Sequence, residues 1–89
     1  MKVVTPHSVA VQIDKIAVYW SAVNPVAAVH LYEQLYQTIE KLAENPRRGR
    51  PVPGRPYREI VSIRPYIIRY RVAADAVYII RVRHSSRRP

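Results

Sequence analysis

The stretch Tyr66-Ile67-Ile68-Arg69-Tyr70-Arg71-Val72, followed after a break at Ala73–Ala76 by Val77-Tyr78-Ile79-Ile80-Arg81-Val82-Arg83, decides the fold. Both runs are rich in β-branched and aromatic residues, and a short turn joins them, which is the pattern of an antiparallel hairpin. Strand alternation puts Tyr66, Ile68, Tyr70 and Val72 on one face and Ile67, Arg69 and Arg71 on the other. In the second run Tyr78, Ile80 and Val82 share one face, while Val77, Ile79, Arg81 and Arg83 share the opposite one. A short loop, Ala74–Ala76, aligns the two apolar sets beneath a covering layer. Arg69, Arg71, Arg81 and Arg83 are then left together on the open face. Asp75 is the turn residue best suited to a positive φ. An earlier strand, Tyr57–Ile63, is separated from the hairpin by Arg64-Pro65.

The covering layer lies upstream. Val9, Ile13, Ile16 and Trp20 recur at helical spacing, with Ala17 widening the stripe. Thr5-Pro6 reads as the start of this helix, a hydroxyl cap before Pro at the first helical position, and the helix runs to about Val23. Asn24-Pro25 opens a second helix by the same device. Its stripe is Ala28, Tyr32, Leu35, Ile39 and Leu42, flanked by Leu31 and Tyr36. Asn45-Pro46 stops it, Asn supplying a left-handed residue and Pro refusing the helix. Residues 2–5 suit a short strand, and 46–56 form a loop on their Pro, Gly and Arg content. The reading is a single α+β domain over 1–89. A helical hairpin at about 6–45 packs on one face of a small twisted antiparallel sheet at 57–84, followed by a basic tail at 85–89.

Charge divides the chain at the loop. Residues 1–45 carry three Lys against Asp14, Glu33, Glu40 and Glu44, a net of 3 − 4 = −1. Residues 46–89 carry twelve Arg against Glu59 and Asp75, a net of 12 − 2 = +10, and the two halves sum to +9. A surface that uses Arg without Lys suits an anionic partner, because the guanidinium grips phosphate or carboxylate through two parallel bonds. The chain has no Cys, which excludes disulfides and thiolate metal sites and suits a reducing compartment. His7, His30 and His84 are too dispersed for a metal site, and Gly49 and Gly54 sit among prolines rather than before a helix, so no metal and no cofactor are expected. No run is long enough to span a bilayer, and no signal pattern opens the chain. The expectation is a cytoplasmic protein with no membrane partner. On the helices, Tyr19, Leu31 and Tyr36 exceed what the core stripe requires and are candidates for a partner-binding groove.

A helical hairpin, an Asn-Pro-x-x-Gly-Arg-Pro loop and a strand run ending in Arg-x-Arg-His now stand in order. Asn24-Pro25, Asn45 to Val52, Arg58-Glu59, Pro65 to Val72, Ile79 to His84 and the tail Arg87-Arg88 together resemble the RelE/ParE superfamily of bacterial type II toxins, most closely its ParE-type branch. The resemblance covers nearly the whole chain. It implies two antiparallel helices on one face of the sheet, and a cognate antitoxin whose acidic, partly disordered segment folds on the toxin. It further implies growth inhibition through DNA gyrase in the ParE-like branch, or ribosome-dependent cleavage of mRNA in the RelE-like branch. Residues expected to meet a partner are Arg58, Arg69, Arg71, Arg81, Arg83, Arg87 and Arg88, with Tyr19, Leu31 and Tyr36.

An RNase of this kind needs a base for the 2′-hydroxyl, a cation for the charged phosphorane and an acid for the leaving oxygen. Arg69, Arg81 and Arg83 could supply the cation, and His84 or Glu59 the base. RelE-like sites often carry a cation three residues before the strand tyrosine corresponding to Tyr70, where this chain has Ile67, and many carry a Tyr or a His–Tyr pair at the end of the last strand, where it has His84-Ser85-Ser86 and no Tyr after Tyr78. His84 equally suits a structural role bonding a loop, and Glu59 a simple ion pair with Arg58 or Arg81. The reading is therefore a ParE-like toxin without an RNase site. The alternatives are an mRNA endoribonuclease and a plain basic nucleic-acid-binding module.

Overall fold

The computed structural model describes residues 1–86. Its elements are β1 (Lys2–Val4), α1 (His7–Val23), α2 (Pro25–Lys41), β2 (Arg50–Pro51), β3 (Arg58–Val61), β4 (Tyr66–Val72) and β5 (Ala76–His84). The two helices form the hairpin anticipated from the stripes. Asn24 makes its corner: its side-chain oxygen accepts from the Ala27 N–H at 3.1 Å, and Pro25 fills the first helical position without wasting a donor. The other helix ends differ from expectation. Pro6, not Thr5, is the N-cap of α1; it has extended backbone angles, and no side-chain oxygen caps the helix. Its carbonyl instead accepts from Val9 and Ala10 at 3.0 and 3.1 Å. Asn45 is not left-handed, since no non-glycine residue among those described has positive φ. The last carbonyls of α2 are met by a tightened turn through Leu42, Ala43 and Glu44.

The sheet is five-stranded in the order β1-β5-β4-β3-β2. Three pairings are antiparallel, as expected, but β1 joins β5 in parallel, Val3 opposite Val77, which makes the sheet mixed. Residues 46–56 are not loop throughout: Arg50 and Pro51 pair with Glu59 and Arg58. The strand expected at Tyr57–Ile63 is limited to Arg58–Val61.

The largest correction concerns β5. Arg69 lies opposite Arg81, but Tyr70 lies opposite Ile79, so Ile80 is an extra residue without a counterpart in β4. This bulge reverses the alternation. Val77 and Ile79 face the helices on one side of it and Val82 does so on the other, each at most 5% exposed. Tyr78 and Ile80, expected inside, are turned out; Ile80 is 40% exposed. The turn from Val72 to Val77 closes with the Ala73 N–H donating to the Ala76 carbonyl at 2.9 Å, and Asp75 keeps a negative φ.

The core lies between the layers. Val9 and Ile13 from α1 and Leu31, Leu35, Ile39 and Leu42 from α2 meet Tyr66, Ile68, Tyr70, Val77, Ile79 and Val82 from the sheet. Polar ties lock the layers together. Trp20 Nε1 donates to the Tyr66 hydroxyl at 3.0 Å, and Thr38 and Ser62 share a hydrogen bond of 2.6 Å. No helix among the described residues is long and apolar enough to cross a membrane.

Candidate functional site

The face of the sheet away from the helices gathers charge by register. Glu59, Arg69 and Arg81 lie side by side on β3, β4 and β5, and Arg83 stands one alternation further along. Glu59 is buried at the centre. Its Oε2 accepts from Arg69 Nε at 3.0 Å and from Arg83 Nε at 3.1 Å. Its Oε1 accepts from Arg83 Nη2 at 3.1 Å, and Arg69 Nη2 stands 3.0 Å from Oε2. The side chains of both arginines are 9% exposed, so this cluster is held largely out of water. Tyr57 lies against the Arg69 guanidinium at 4.3 Å, a cation–π contact that shields it further. The hydrogen bond from Arg83 holds the Glu59 carboxyl below the ordinary carboxylate range. Burial opposes that shift, and Arg69 adds to it. Glu59 also holds the Arg83 proton more firmly, against the opposing effect of burial.

The four arginines expected on the open face are there, but in three different states. Arg69 and Arg83 clasp Glu59. The Nε of Arg81 is buried and has no hydrogen-bond partner among the described residues. Arg71 is exposed and lies 5.1 Å from the Tyr78 ring. Tyr78 in turn donates to Asp75 at 3.0 Å, which raises its hydroxyl pKa. The partners expected for Glu59, Arg58 and Arg81, are replaced by Arg69 and Arg83. Arg58 turns to the other face, where its Nη1 donates to the Gly49 carbonyl at 2.8 Å.

That contact belongs to a buckle between the 46–49 loop and the sheet. The Tyr70 hydroxyl accepts from the Gly49 N–H at 2.7 Å and donates to the Pro46 carbonyl at 2.8 Å. Burial pushes the Tyr70 hydroxyl pKa up. Gly49 is required here: a Cβ would stand 2.6 Å from the Tyr70 oxygen and 2.9 Å from the Glu59 carbonyl.

His84 sits at the far end of β5. Its ring meets Tyr66 edge-on at 5.6 Å, and its Nδ1 is within 2.6 Å of the Ser86 hydroxyl and accepts from the Ser86 N–H. Tyr19 is 65% exposed and packs edge-on against Trp20, whereas Leu31 is 5% exposed and belongs to the core. Leu31 therefore lines no open groove. Tyr36 is half-buried against Tyr32. Arg87 and Arg88 lie outside the described residues. Exposed Val18, Val23, Val26 and Val29 extend the apolar surface of the helical hairpin beyond what its aromatics suggested. Two participants escaped the sequence reading. Tyr57 reads simply as the first residue of a strand, and Gln12 as a polar helix position, although its Oε1 accepts from the Val82 N–H at 2.9 Å. Among the described residues no group of His, Cys, Asp and Glu could hold a metal ion.

Comparison with known proteins agrees with this architecture. Residues 6–89 match the family model of the ParE toxin of type II toxin–antitoxin systems. The chain is 41% identical over 69 residues to Toxin RelE2 of Caulobacter vibrioides, covering 78% of this chain and 77% of that protein. It is 36% identical over 75 residues to Putative toxin Y4kP of Sinorhizobium fredii, covering 83% and 77%. A solved structure of the chromosomal ParDE system from P. aeruginosa superposes with a TM-score of 0.82 at 20% identity, over 94% of this chain and 95% of that one, a likeness of fold. On the family match and the identity to its relatives, the chain belongs to the ParE toxins of type II toxin–antitoxin systems, within the RelE/ParE superfamily.

Proposed function

We propose that this toxin arrests growth by binding a cytoplasmic target, DNA gyrase, rather than by cutting mRNA, and that an acidic antitoxin segment silences it. The observation that carries this reading is the Glu59 clasp. Phosphoryl chemistry needs cations free to meet the developing charge. Here Arg69 and Arg83 are already engaged by a buried carboxylate. Glu59 has both oxygens occupied and is poorly placed to take a proton from a 2′-hydroxyl. The Tyr70 hydroxyl is committed to Gly49 and Pro46. Ile67 stands where a RelE-like site carries a cation, and His84 is occupied with Ser86. A toxin that works by occupying its target needs none of these groups free.

The second reading, an mRNA endoribonuclease, draws support from the unmet Arg81 Nε and from the name carried by the Caulobacter relative. Expression of the chain alone from a tightly controlled promoter separates the two. The gyrase reading expects filamentation and DNA-damage signalling while bulk mRNA stays intact, with growth restored by the co-expressed antitoxin. Prompt fragmentation of mRNA on ribosomes, before any DNA damage, would overturn it.

A further inference from the structure

Residues 47–58 hold five arginines and no acid. Hydrogen bonds fix the shape of this segment. The Arg55 N–H donates to the Val52 carbonyl at 3.1 Å across Pro53 and Gly54, with Gly54 at φ 72°. That is a tight turn whose third residue only glycine adopts without strain. The Val52 N–H donates to the Tyr57 carbonyl at 3.1 Å and ties the base of the turn. Here a pocket of about 320 Å³ opens, lined by Arg47, Arg55, Arg58 and Tyr57 and by the rings of Pro51 and Pro56. No carboxylate lines it. Arg58 is anchored through Nη1 on the Gly49 carbonyl, and its other donors meet no acceptor among the described residues. Arg47 and Arg55 are exposed. The ion pairs among the described residues are those of Glu59 with Arg69 and Arg83, so the charge of this pocket is not neutralised from within.

We propose that this pocket holds a backbone phosphate of duplex DNA, with the guanidiniums of Arg47, Arg55 and Arg58 closing on its oxygens. The proposal rests on the reading that the toxin acts on gyrase, an enzyme that works on DNA, and it adds a contact between the toxin and that DNA. An acidic protein segment fits this place less well. β2, the strand at this edge of the sheet, is two residues long and ends in Pro51, which has no N–H to offer an added strand. Single-stranded RNA also fits less well, because it needs free rings on which unpaired bases stack. The pocket's one ring, Tyr57, is half-buried and has the Arg69 guanidinium 4.3 Å from its centre. A duplex asks only for fixed cations facing its phosphates.

The test measures binding of the full chain to a fluorescent duplex of about 20 base pairs by anisotropy, across a salt series. Arg47→Gln and Arg55→Gln are each compared with Arg64→Gln, which removes the same charge from an exposed residue outside the pocket. Each pocket variant should lower the slope of log affinity against log salt by about one and weaken binding about eightfold at about 0.1 M salt, the effect of one phosphate contact. The loss should be the same on duplexes of unrelated sequence, because no base is read. Arg64→Gln should change affinity by less than about twofold. An equal loss in Arg64→Gln would mean diffuse attraction and would overturn the proposal. So would the absence of duplex binding at low salt, or binding of polyuridine or polyglutamate that depends more on Arg47 and Arg55 than duplex binding does. Inorganic phosphate that occupies the pocket, while duplex affinity ignores the loss of both arginines, would overturn it in favour of a small-anion site. Supercoiling by gyrase separates the proposal from the reading beneath it. Inhibition that survives in both pocket variants, with duplex binding unchanged, defeats this proposal alone. Pocket-dependent duplex binding by a chain that never inhibits gyrase defeats the gyrase reading and leaves the pocket.

Discussion

Replacing Glu59 by Gln keeps the shape of the Arg69–Glu59–Arg83 cluster and removes its negative charge, so it isolates the electrostatics of the site. In the native protein four N···O contacts of 3.0–3.1 Å bind the carboxylate to two guanidiniums whose side chains are 9% exposed. With Gln, one amide oxygen must serve both arginines, and its NH₂ group points donors at donors. The two cations, roughly 6 Å apart in a medium of effective dielectric about 20, then repel by about 3 kcal/mol. Breaking a buried ion pair by removing one partner costs about 3–5 kcal/mol, in line with that figure. A domain of this size has roughly 4–13 kcal/mol in total, so the loss is a large fraction of it. Urea unfolding followed by far-ultraviolet circular dichroism should show the midpoint falling by about 2–3 M at unchanged slope. Adding Arg69→Gln to the variant should recover part of the loss, because one of the two repelling cations is gone. A Glu59→Gln cost below about 1 kcal/mol would mean that water already solvates the guanidiniums, as in a surface pair, and would refute the argument that they are locked away.

Other outcomes follow from the same geometry. The Glu59 carboxyl is lowered in the folded state, so its stabilisation is complete above the ordinary carboxylate pKa. It fades as pH falls from there through the lowered folded-state value, because the unfolded chain takes up the proton first; the stability–pH slope in that acid window should flatten in Glu59→Gln. Gly49→Ala forces a methyl against the Tyr70 hydroxyl and the Glu59 carbonyl and should cost about 2–4 kcal/mol by chemical unfolding. Asn24→Ala leaves the Ala27 N–H without its cap and should cost about 1 kcal/mol by thermal unfolding. Arg71→Gln touches an exposed residue and should change stability by less than about 0.5 kcal/mol, while lowering affinity for any anionic partner that uses the exposed face.

The helices were legible because their signals are local. Asn24-Pro25 is both cap and first turn, and the apolar stripes at helical spacing name the buried residues of both helices with few errors. β4 was legible for a similar reason: its polar members, Arg69 and Arg71, fall on one side of a two-residue alternation. β5 was not. In Val77-Tyr78-Ile79-Ile80 every residue is apolar, so alternation holds no information about which pair points inward, and the bulge at Ile80 settles it through pairing with β4. The parallel partnership of Lys2–Val4 with Ala76–Tyr78 joins opposite ends of the chain, and no local pattern marks it. Arg50-Pro51 has no strand propensity; it pairs with β3 beside the Gly49–Tyr70 buckle, a long-range contact that no local pattern marks. At the site, the sequence named Glu59 and the arginines, yet not their partnerships. Those depend on register, which places Arg69 directly opposite Glu59 and brings Arg83 across from the neighbouring strand.

The position of β5 has a consequence for how the protein comes into being. It is synthesised after every other strand, yet it lies between β1 and β4 and carries contacts to α1. A growing polypeptide lacking Ala76–His84 has β1 with nothing to join and a helical pair with half its floor missing. Such a chain also lacks Val77, Ile79 and Val82 of the core. Docking of β5 is thus the step that joins β1, β4 and α1 into one layered body.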